Sequence, residues 1–378
     1  MLCHLPLLCS ETDDALTLEY EAYIGCRIGG SLFEAVRVDP FRPTGNPGWK
    51  MMTLLEPYST VLLAFAVLAL TASVIYGQCD YDDEFNWRAY KKTFGKNYTV
   101  AEDAKRKVNF KKTDDFIKKR NAIPNSSFKV DHNELSDLSD AELAQRLGVK
   151  GVPAVREGYT VFAAGEDRQL PPASLDYSND TCMPAIKNQG QCGSCWAFAA
   201  TTPLEFMKCK SAKTSVVLSE QQLVDCDRNS TNNGCNGGFY STAWKYHKAV
   251  GGAAKQSLYP YNAIGNNTCK FNTTMVAAKV SSYAAIQAKN ATAMQLAIQN
   301  KRNVFTYIWS GVYDDVNCNN KSINHAVSAV GWGTLNGTNH WILRNSWGKT
   351  WGQTGYMLMK RGVNLCKVED YAYYAVPQ

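Results

Sequence analysis

The sequence is short of histidine, of long apolar runs and of any strong charge imbalance, and each shortage closes off a class of function. Five histidines occur in 378 residues, so histidine-based chemistry has few candidates. A formal net charge of +6 is mild, and the basic cluster "AKRKVNFKKTDDFIKKR", Ala104 to Arg120, is interrupted by two aspartates. A nucleic-acid-binding surface wants denser basic charge interleaved with aromatics, so no nucleic-acid partner is expected. Cysteine is absent between Cys79 and Cys182, and no second Cys-x-x-Cys or His-x-x-x-His follows Cys192 and Cys195 at zinc-finger spacing, so no metal site is expected. A thioredoxin-like redox pair would need a βαβ pattern around its Cys-x-x-Cys, and none is present.

The one long apolar run is "VLLAFAVLALTASVIY", Val61 to Tyr76. It falls short of the roughly 20 residues that span a bilayer and ends in a signal-peptidase-like site, Ile75-Tyr76-Gly77 before Gln78. We therefore read residues 51–77 as a secretory signal peptide and expect no stable membrane anchor. Fifty residues without pattern precede it, and Met51-Met52 stands where an initiator belongs, which sets residues 1–50 apart as an extension of doubtful authenticity. The rival reading is a signal-anchor with a short cytoplasmic tail.

What the chain does have points to the secretory route. Thirteen cysteines suggest an oxidising compartment. Asn97, Asn125, Asn179, Asn229, Asn266, Asn272, Asn290, Asn320 and Asn336 all head glycosylation sequons. The expected destination is a lysosome or the extracellular space, a digestive lumen included.

Residues 80–146 are polar, lysine-rich and nearly free of glycine and proline, as a helical region would be. Glu102, Arg106, Phe110, Ile117 and Asn121 recur at multiples of four or close to them and so share one side of a helix. On spacing alone this is an ordinary amphipathic helix. A loose Gly/Pro/Ala-rich stretch before Leu170 reads as a linker and cleavage region. From there to Gln378 the composition shifts to Cys, Gly, Trp and Tyr, which marks a separate compact domain.

Within that domain the first half reads as helical and the second as strands, an α+β arrangement with a cleft between the halves. "CWAFAATTPLEFMKC" is an apolar helix candidate opening at Cys195, although Pro203 should kink it or cost it a hydrogen bond. Ser219 and Gln222 form a capping-box pattern that starts a second helix. "HAVSAVGWG" and "HWILRNSWG" alternate as strands about the turn-rich "TLNGTN", and "GYMLMKR" and "YYAVP" add further strands.

Nine cysteines from Cys182 onward leave at least one unpaired. Cys195 opens a helix, where free backbone N–H groups and the helix dipole favour a thiolate. A buried inert thiol is the competing reading. A thiolate nucleophile also needs a proton donor. His325 and Asn345 each lie ten residues from Leu335, so a hairpin centred there puts them opposite each other, the amide orienting the ring. His340 near the turn tip and His247 in a polar stretch are expected to be solvated.

At these residues the chain resembles the papain-like cysteine proteases. "CGSCW", Cys192 to Trp196, has the family's signature form, with His325 and Asn345 lying 130 and 150 residues beyond Cys195. "NSWGKTWGQTGY" and "GCNGG", Gly234 to Gly238, are similar to its Asn-Ser-Trp-Gly segment and substrate-binding glycine loop. Upstream, Glu102, Arg106, Phe110, Ile117 and Asn121 match the ERFNIN pattern of cathepsin L-like propeptides, with Thr113 for the usual asparagine. Asp131, Asn133, Leu135 and Asp137 resemble the companion GNFD motif.

The resemblance implies a papain-like two-lobed α+β fold, with a helical left lobe and an antiparallel, β-barrel-like right lobe. A helical inhibitory prodomain at residues 78–170 would precede a protease at 171–378. It implies Cys195 as nucleophile, His325 as base and acid in a thiolate–imidazolium pair, Asn345 as its orienter and Gln189 as oxyanion donor. Gly237, Gly238, Phe239, Trp347 and Tyr371 would meet substrate, with Tyr371 and Tyr307 making a shallow S2 pocket. The implied bridges are Cys192–Cys235, Cys226–Cys269, Cys318–Cys366 and, as in cathepsin B-like members, Cys182–Cys209. The segment from Val304 to His325 is short, as if missing a surface helix. No paired-histidine insertion resembles an occluding loop, which favours endopeptidase action. No cofactor is implied. The expected partners of this monomer are protein and peptide substrates, its own propeptide and cystatin-type inhibitors.

Overall fold

The computed structural model describes residues 27–28, 31–32, 83–150, 161–163, 170–229, 231–265, 268–301, 304–306 and 312–378. The apolar run Val61–Tyr76, Tyr307 and most of the linker lie outside them. Among the described residues no helix is long and apolar enough to cross a membrane. Arg27–Ile28 (β1) and Ser31–Leu32 (β2) pair antiparallel in a unit of their own. Residues 75–378 form the second unit, which carries everything that follows.

The prodomain is built on helix α1 (83–93), the long α2 (Val100–Asn121) and the short α3 (Asp140–Gln145). Thr99 caps α2 through the Glu102 N–H, and Ser139 and Glu142 form a reciprocal capping box on α3. The recurring residues of α2 each take a distinct partner. Arg106 pairs with Glu102 at 2.7 Å and Glu142 at 2.6 Å. Phe110 packs with Trp87 and Tyr90. Ile117 meets Phe128 and Val130. The Asn121 amide donates to the Val130 carbonyl at 2.7 Å and accepts its N–H at 2.9 Å. Thr113, the departure from the pattern, donates to the Asn109 carbonyl one turn back. Asp137 is fully buried and accepts from Tyr90, Lys96 and Tyr98, which ties α1 to the loop before α3.

Val161–Phe162 (β3) and Leu175–Asp176 (β4) lead into the protease, whose left half is helical: α4 (Cys195–Ala212), α5 (Glu220–Cys226) and α6 (Tyr240–Val250). α4 runs through Pro203, so the expected cost is a missing N–H rather than an interruption. Ser219 caps α5 as expected, but Gln222 does not reach back to it; its amide instead spans Gly252 O at 3.1 Å and Ala254 N at 2.7 Å. This fastens α5 to β5 (Ala253–Ala254), which pairs with β6 (Val276–Ala278).

The right half is made of β7 (Val280–Ile286), α7 (Ala291–Lys301), β8 (Val304–Thr306), β9 (Val312–Tyr313), β10 (Val327–Leu335), β11 (Thr338–Arg344), β12 (Tyr356–Lys360) and β13 (Tyr373–Pro377). The main sheet runs β4-β10-β11-β12-β9, with β8 also on β10; a second runs β13-β7-β3. Two expectations are corrected. The sheets are open and do not close into a barrel, and β9 joins β12 in parallel. Between Val304 and His325 the described residues hold β8, β9 and the 3-10 turn Val316–Asn320.

Among the described residues four disulfides join Cys182–Cys209, Cys192–Cys235, Cys226–Cys269 and Cys318–Cys366, all within the protease. Two apolar cores fill it: one under the main sheet around Trp332, Trp341 and Trp351, the other around α4 with Trp196, Leu204 and Trp244.

Candidate active site

Cys195 is the one free cysteine among the described residues and stands at the first position of α4, where its cleft meets the right half. The residue before it, Ser194, makes no side-chain cap, since its hydroxyl is taken by Tyr261 at 2.7 Å. The first-turn N–H groups of Cys195 and Trp196 are thereby left for the sulfur, on which the backbone N–H groups of Ala326 and Gly148 also bear. Behind it, Trp196 donates to Gly234 O at 3.2 Å and the Cys192–Cys235 bridge ties the helix start to the glycine loop.

His325 immediately precedes Ala326 and is buried. Its Nε2 lies 2.8 Å from Asn345 Oδ1, an atom that also accepts the Ser346 N–H at 2.8 Å. An amide oxygen only accepts, so Nε2 carries the proton and Nδ1 is left with its lone pair. The ring of Trp347 covers the pair, 4.5 Å from that of His325. The two residues meet, but not by direct opposition. The turn is the two-residue Asn336-Gly337, both with positive φ, and a bulge between Ala329 and Gly331 shifts the register, so that Ser328 pairs with Arg344. His325 reaches Asn345 from just before the strand.

Gln189 is locked by its oxygen. Oε1 accepts from Ser346 Oγ at 2.8 Å and Trp347 Nε1 at 3.0 Å, which forces Nε2 to face the other way. There it donates to Cys192 O and to Arg146 O, both at 2.8 Å. The segment is anchored by Lys187, whose ammonium bridges the buried Glu205 and Glu220 at 2.6 Å each. Sequence reading missed this cluster; its only trace was a glutamate inside the apolar helix α4.

The prodomain occupies the cleft. Gly148 O accepts the Gly238 N–H at 2.8 Å and Lys150 N donates to Gly238 O at 3.2 Å, a parallel bridge centred on Val149. Val149 N also donates to Asn324 O at 3.0 Å. Only glycine passes at residue 148, since a Cβ there would lie 1.8 Å from Gly193 O. A Cβ on Gly238 would lie 2.5 Å from Asn232 Oδ1. Val149 shares an apolar cluster with Ala326, Phe239 and the half-buried Tyr371. Gly237 lies along the same passage, its Cβ position 2.8 Å from Gly148 O. Phe239 lies deeper, its N–H on Asn232 and its ring stacked on Tyr240. The Arg146 guanidinium is buried between Asn188 Oδ1 at 2.8 Å and Gln191 Oε1 at 3.3 Å, and burial pushes its pKa down to about 10.

This covering overturns the expected ion pair in the precursor. Burial pushes the Cys195 thiol up to about 11 against the pull of the surrounding N–H groups. Burial, with the charge of Arg146, pushes His325 down to about 4, while its bond to Asn345 opposes this. With water excluded, thiol and imidazole are both neutral. Two other histidines are also corrected. His247 is buried, bonded to Gly252 O and pushed down to about 4; His340 is buried too and its pKa is lowered by burial.

Comparison with known proteins decides the family. The papain family cysteine protease model matches residues 171–376, and the cathepsin propeptide inhibitor domain (I29) model matches residues 87–143. The chain belongs to the papain family. It is 33% identical to cathepsin K of Mus musculus over 306 residues, 76% of this chain and 92% of that one. It is 30% identical to a cathepsin L-like proteinase of Fasciola hepatica over 325 residues, 82% and 96% of the two chains. Its structure is similar to that of digestive procathepsin L2 proteinase from Tenebrio molitor larval midgut, with TM-score 0.72 and 28% identity over 78% of this chain and 99% of that one. It is a cathepsin L-like cysteine endopeptidase in zymogen form, with the propeptide held in its own cleft.

Proposed function

We propose that the chain is a secreted or lysosomal endopeptidase that cleaves peptide bonds through a Cys195 thioester once its propeptide is removed. The observation that carries this reading is Gln189 Nε2 on a peptide carbonyl, Arg146 O, while Gly238 pairs with the same backbone beside Cys195, the one free thiol among the described residues. These are the contacts an extended substrate would make.

With the propeptide gone, water re-enters and the Arg146 charge leaves, so the proton passes from Cys195 to His325. The thiolate attacks the scissile carbonyl carbon. The resulting oxyanion takes hydrogen bonds from Gln189 Nε2 and the Cys195 N–H, each worth on the order of a hundredfold in rate. His325 gives its Nδ1 proton to the leaving amine, then takes one from the water that opens the thioester. Asn345 holds the ring through both transfers and Trp347 keeps water from that bond.

The cut that frees the enzyme falls between Gly165 and Ser174, giving a monomer open to protein and peptide substrates and to cystatin-type inhibitors. Val149 beside Tyr371 supports a shallow S2 pocket that suits a mid-sized apolar P2 side chain and disfavours bulky ones. A P2-varied peptide library tests this, and a preference for Phe or Arg would refute it. The sequons at Asn97, Asn125 and Asn336 stand exposed, as glycan acceptors would. Activity itself is tested by hydrolysis of a peptide substrate by acid-processed protein. The Cys195→Ala chain should give none, and retained hydrolysis would overturn the assignment.

A further inference from the structure

The propeptide touches the protease at a place the cleft does not explain. β3 (Val161–Phe162) lies in parallel on β7, with Val161 opposite Ala285 and Phe162 opposite Ile286, and the Gln287 N–H donates to Phe162 O at 2.9 Å. β7 pairs with β13 on its other side, so β3 alone makes β7 an interior strand of that sheet. The Phe162 ring is 7% exposed and belongs to the protease's own right-hand core with Ile286 and Tyr374. It meets the Tyr374 ring edge to face, with centroids 6.0 Å apart. Val161, its neighbour, is 42% exposed, so the grip is one aromatic side chain plus backbone pairing.

An unpaired sheet edge next to an apolar slot is a template for an added strand. We propose that the β7 edge with its Phe162 slot is a second docking site for this chain's own propeptide, outside the cleft, which keeps the propeptide bound after the activating cut. The inference rests on the zymogen reading above, because a cut between Gly165 and Ser174 leaves Phe162 on the propeptide side. Cutting the chain then makes release possible without causing it. The freed propeptide is then held at this edge as well as in the cleft and at Tyr313, on which Phe128 packs beside the Ser127–Asp314 bond, and the sites' effective concentration for each other slows its departure.

The test uses the full chain as Cys195→Ala, so that no self-digestion occurs and enzymatic activity plays no part in the readout. Limited proteolysis after Arg168 nicks it at neutral pH, and size exclusion follows how long the propeptide co-elutes with the protease. Phe162→Ala should dissociate on the order of 100- to 1,000-fold faster, the range expected for emptying a buried aromatic site. Val161→Ala should stay within about twofold of the parent. Equal dissociation of Phe162→Ala and the parent would overturn the proposal. Hydrogen exchange on the unmutated sequence gives a reading that needs no variant. The Gln287 amide should be protected in the zymogen and exchange freely once the propeptide has been removed; free exchange in both would contradict the site. Failure of peptide hydrolysis by the processed enzyme would sink the endopeptidase reading and leave the docking site standing, so the two proposals fall separately.

Discussion

Helices α2 and α4 are of similar length and opposite construction. In α2, three of 22 residues are buried; in α4, thirteen of 18 are. The first is held by its Thr99 cap, by acidic residues in its first turn and basic ones in its last, and by Arg106 reaching two glutamates. The second is held by apolar packing and by bridges at Cys195's neighbour Cys192 and at Cys209. The same contrast separates the prodomain from the protease among the described residues: charge pairs and two small apolar clusters on one side, two large cores and four disulfides on the other. A body of the first kind can be dismantled while the second survives, which is what a removable inhibitor requires.

Emptying the small prodomain core should have the largest effect. Trp87→Ala removes the ring on which Tyr90 and Tyr98 stack and against which Phe110 tilts, and should cost the prodomain about 3–5 kcal/mol. The variant should show an early thermal transition and premature peptidase activity, while the processed protease melts as before; calorimetry on both forms checks it. Removing Cys226–Cys269 by alanine substitution should do the reverse, costing the protease about 2–5 kcal/mol. Reducing agent should lower the processed enzyme's melting temperature and leave the prodomain transition in place.

Acid sharpens the contrast through the prodomain, because uncovering the cleft moves a proton from Cys195 to His325 and takes none from solvent. Burial alone would raise the Glu142 carboxyl, but Arg106 and Ser139 hold it down to about 2. The stability this gives the prodomain is present above about 4.5 and is lost progressively as pH falls toward 2. The prodomain's melting transition at stepped pH measures it, and a Glu142→Gln chain that loses stability just as steeply in acid would remove this pair from the account. Smallest is the cap: Thr99→Ala should cost α2 about 1 kcal/mol, visible as a shift of the prodomain transition alone.

Much of this was legible in the sequence where a local signal has a local cause. Ser219 begins a helix because its oxygen satisfies a free N–H group, and "TLNGTN" turns the hairpin, although at Asn336-Gly337 rather than about Leu335. The spacing of Glu102 through Asn121 placed those residues on one helical side because helix geometry repeats. Register was not legible, since the turn centres on Asn336-Gly337 rather than on Leu335, and the bulge beside Val330, which takes back only one residue of that shift, leaves no residue-level mark. His247 and His340 were misjudged because polar neighbours in sequence say nothing about the core above them in space. The occupied cleft, the buried Lys187 cluster and the strand at Phe162 all join residues far apart along the chain, which no local pattern encodes.

The central claim is that one thiol at the start of α4 is silent under the propeptide and reactive without it. Labelling Cys195 with an epoxide or vinyl-sulfone probe before and after acid processing tests it most directly. The account predicts little labelling of the zymogen, stoichiometric labelling of the processed enzyme, and none in Cys195→Ala. Equal labelling of zymogen and product, or labelling that survives Cys195→Ala, would contradict it.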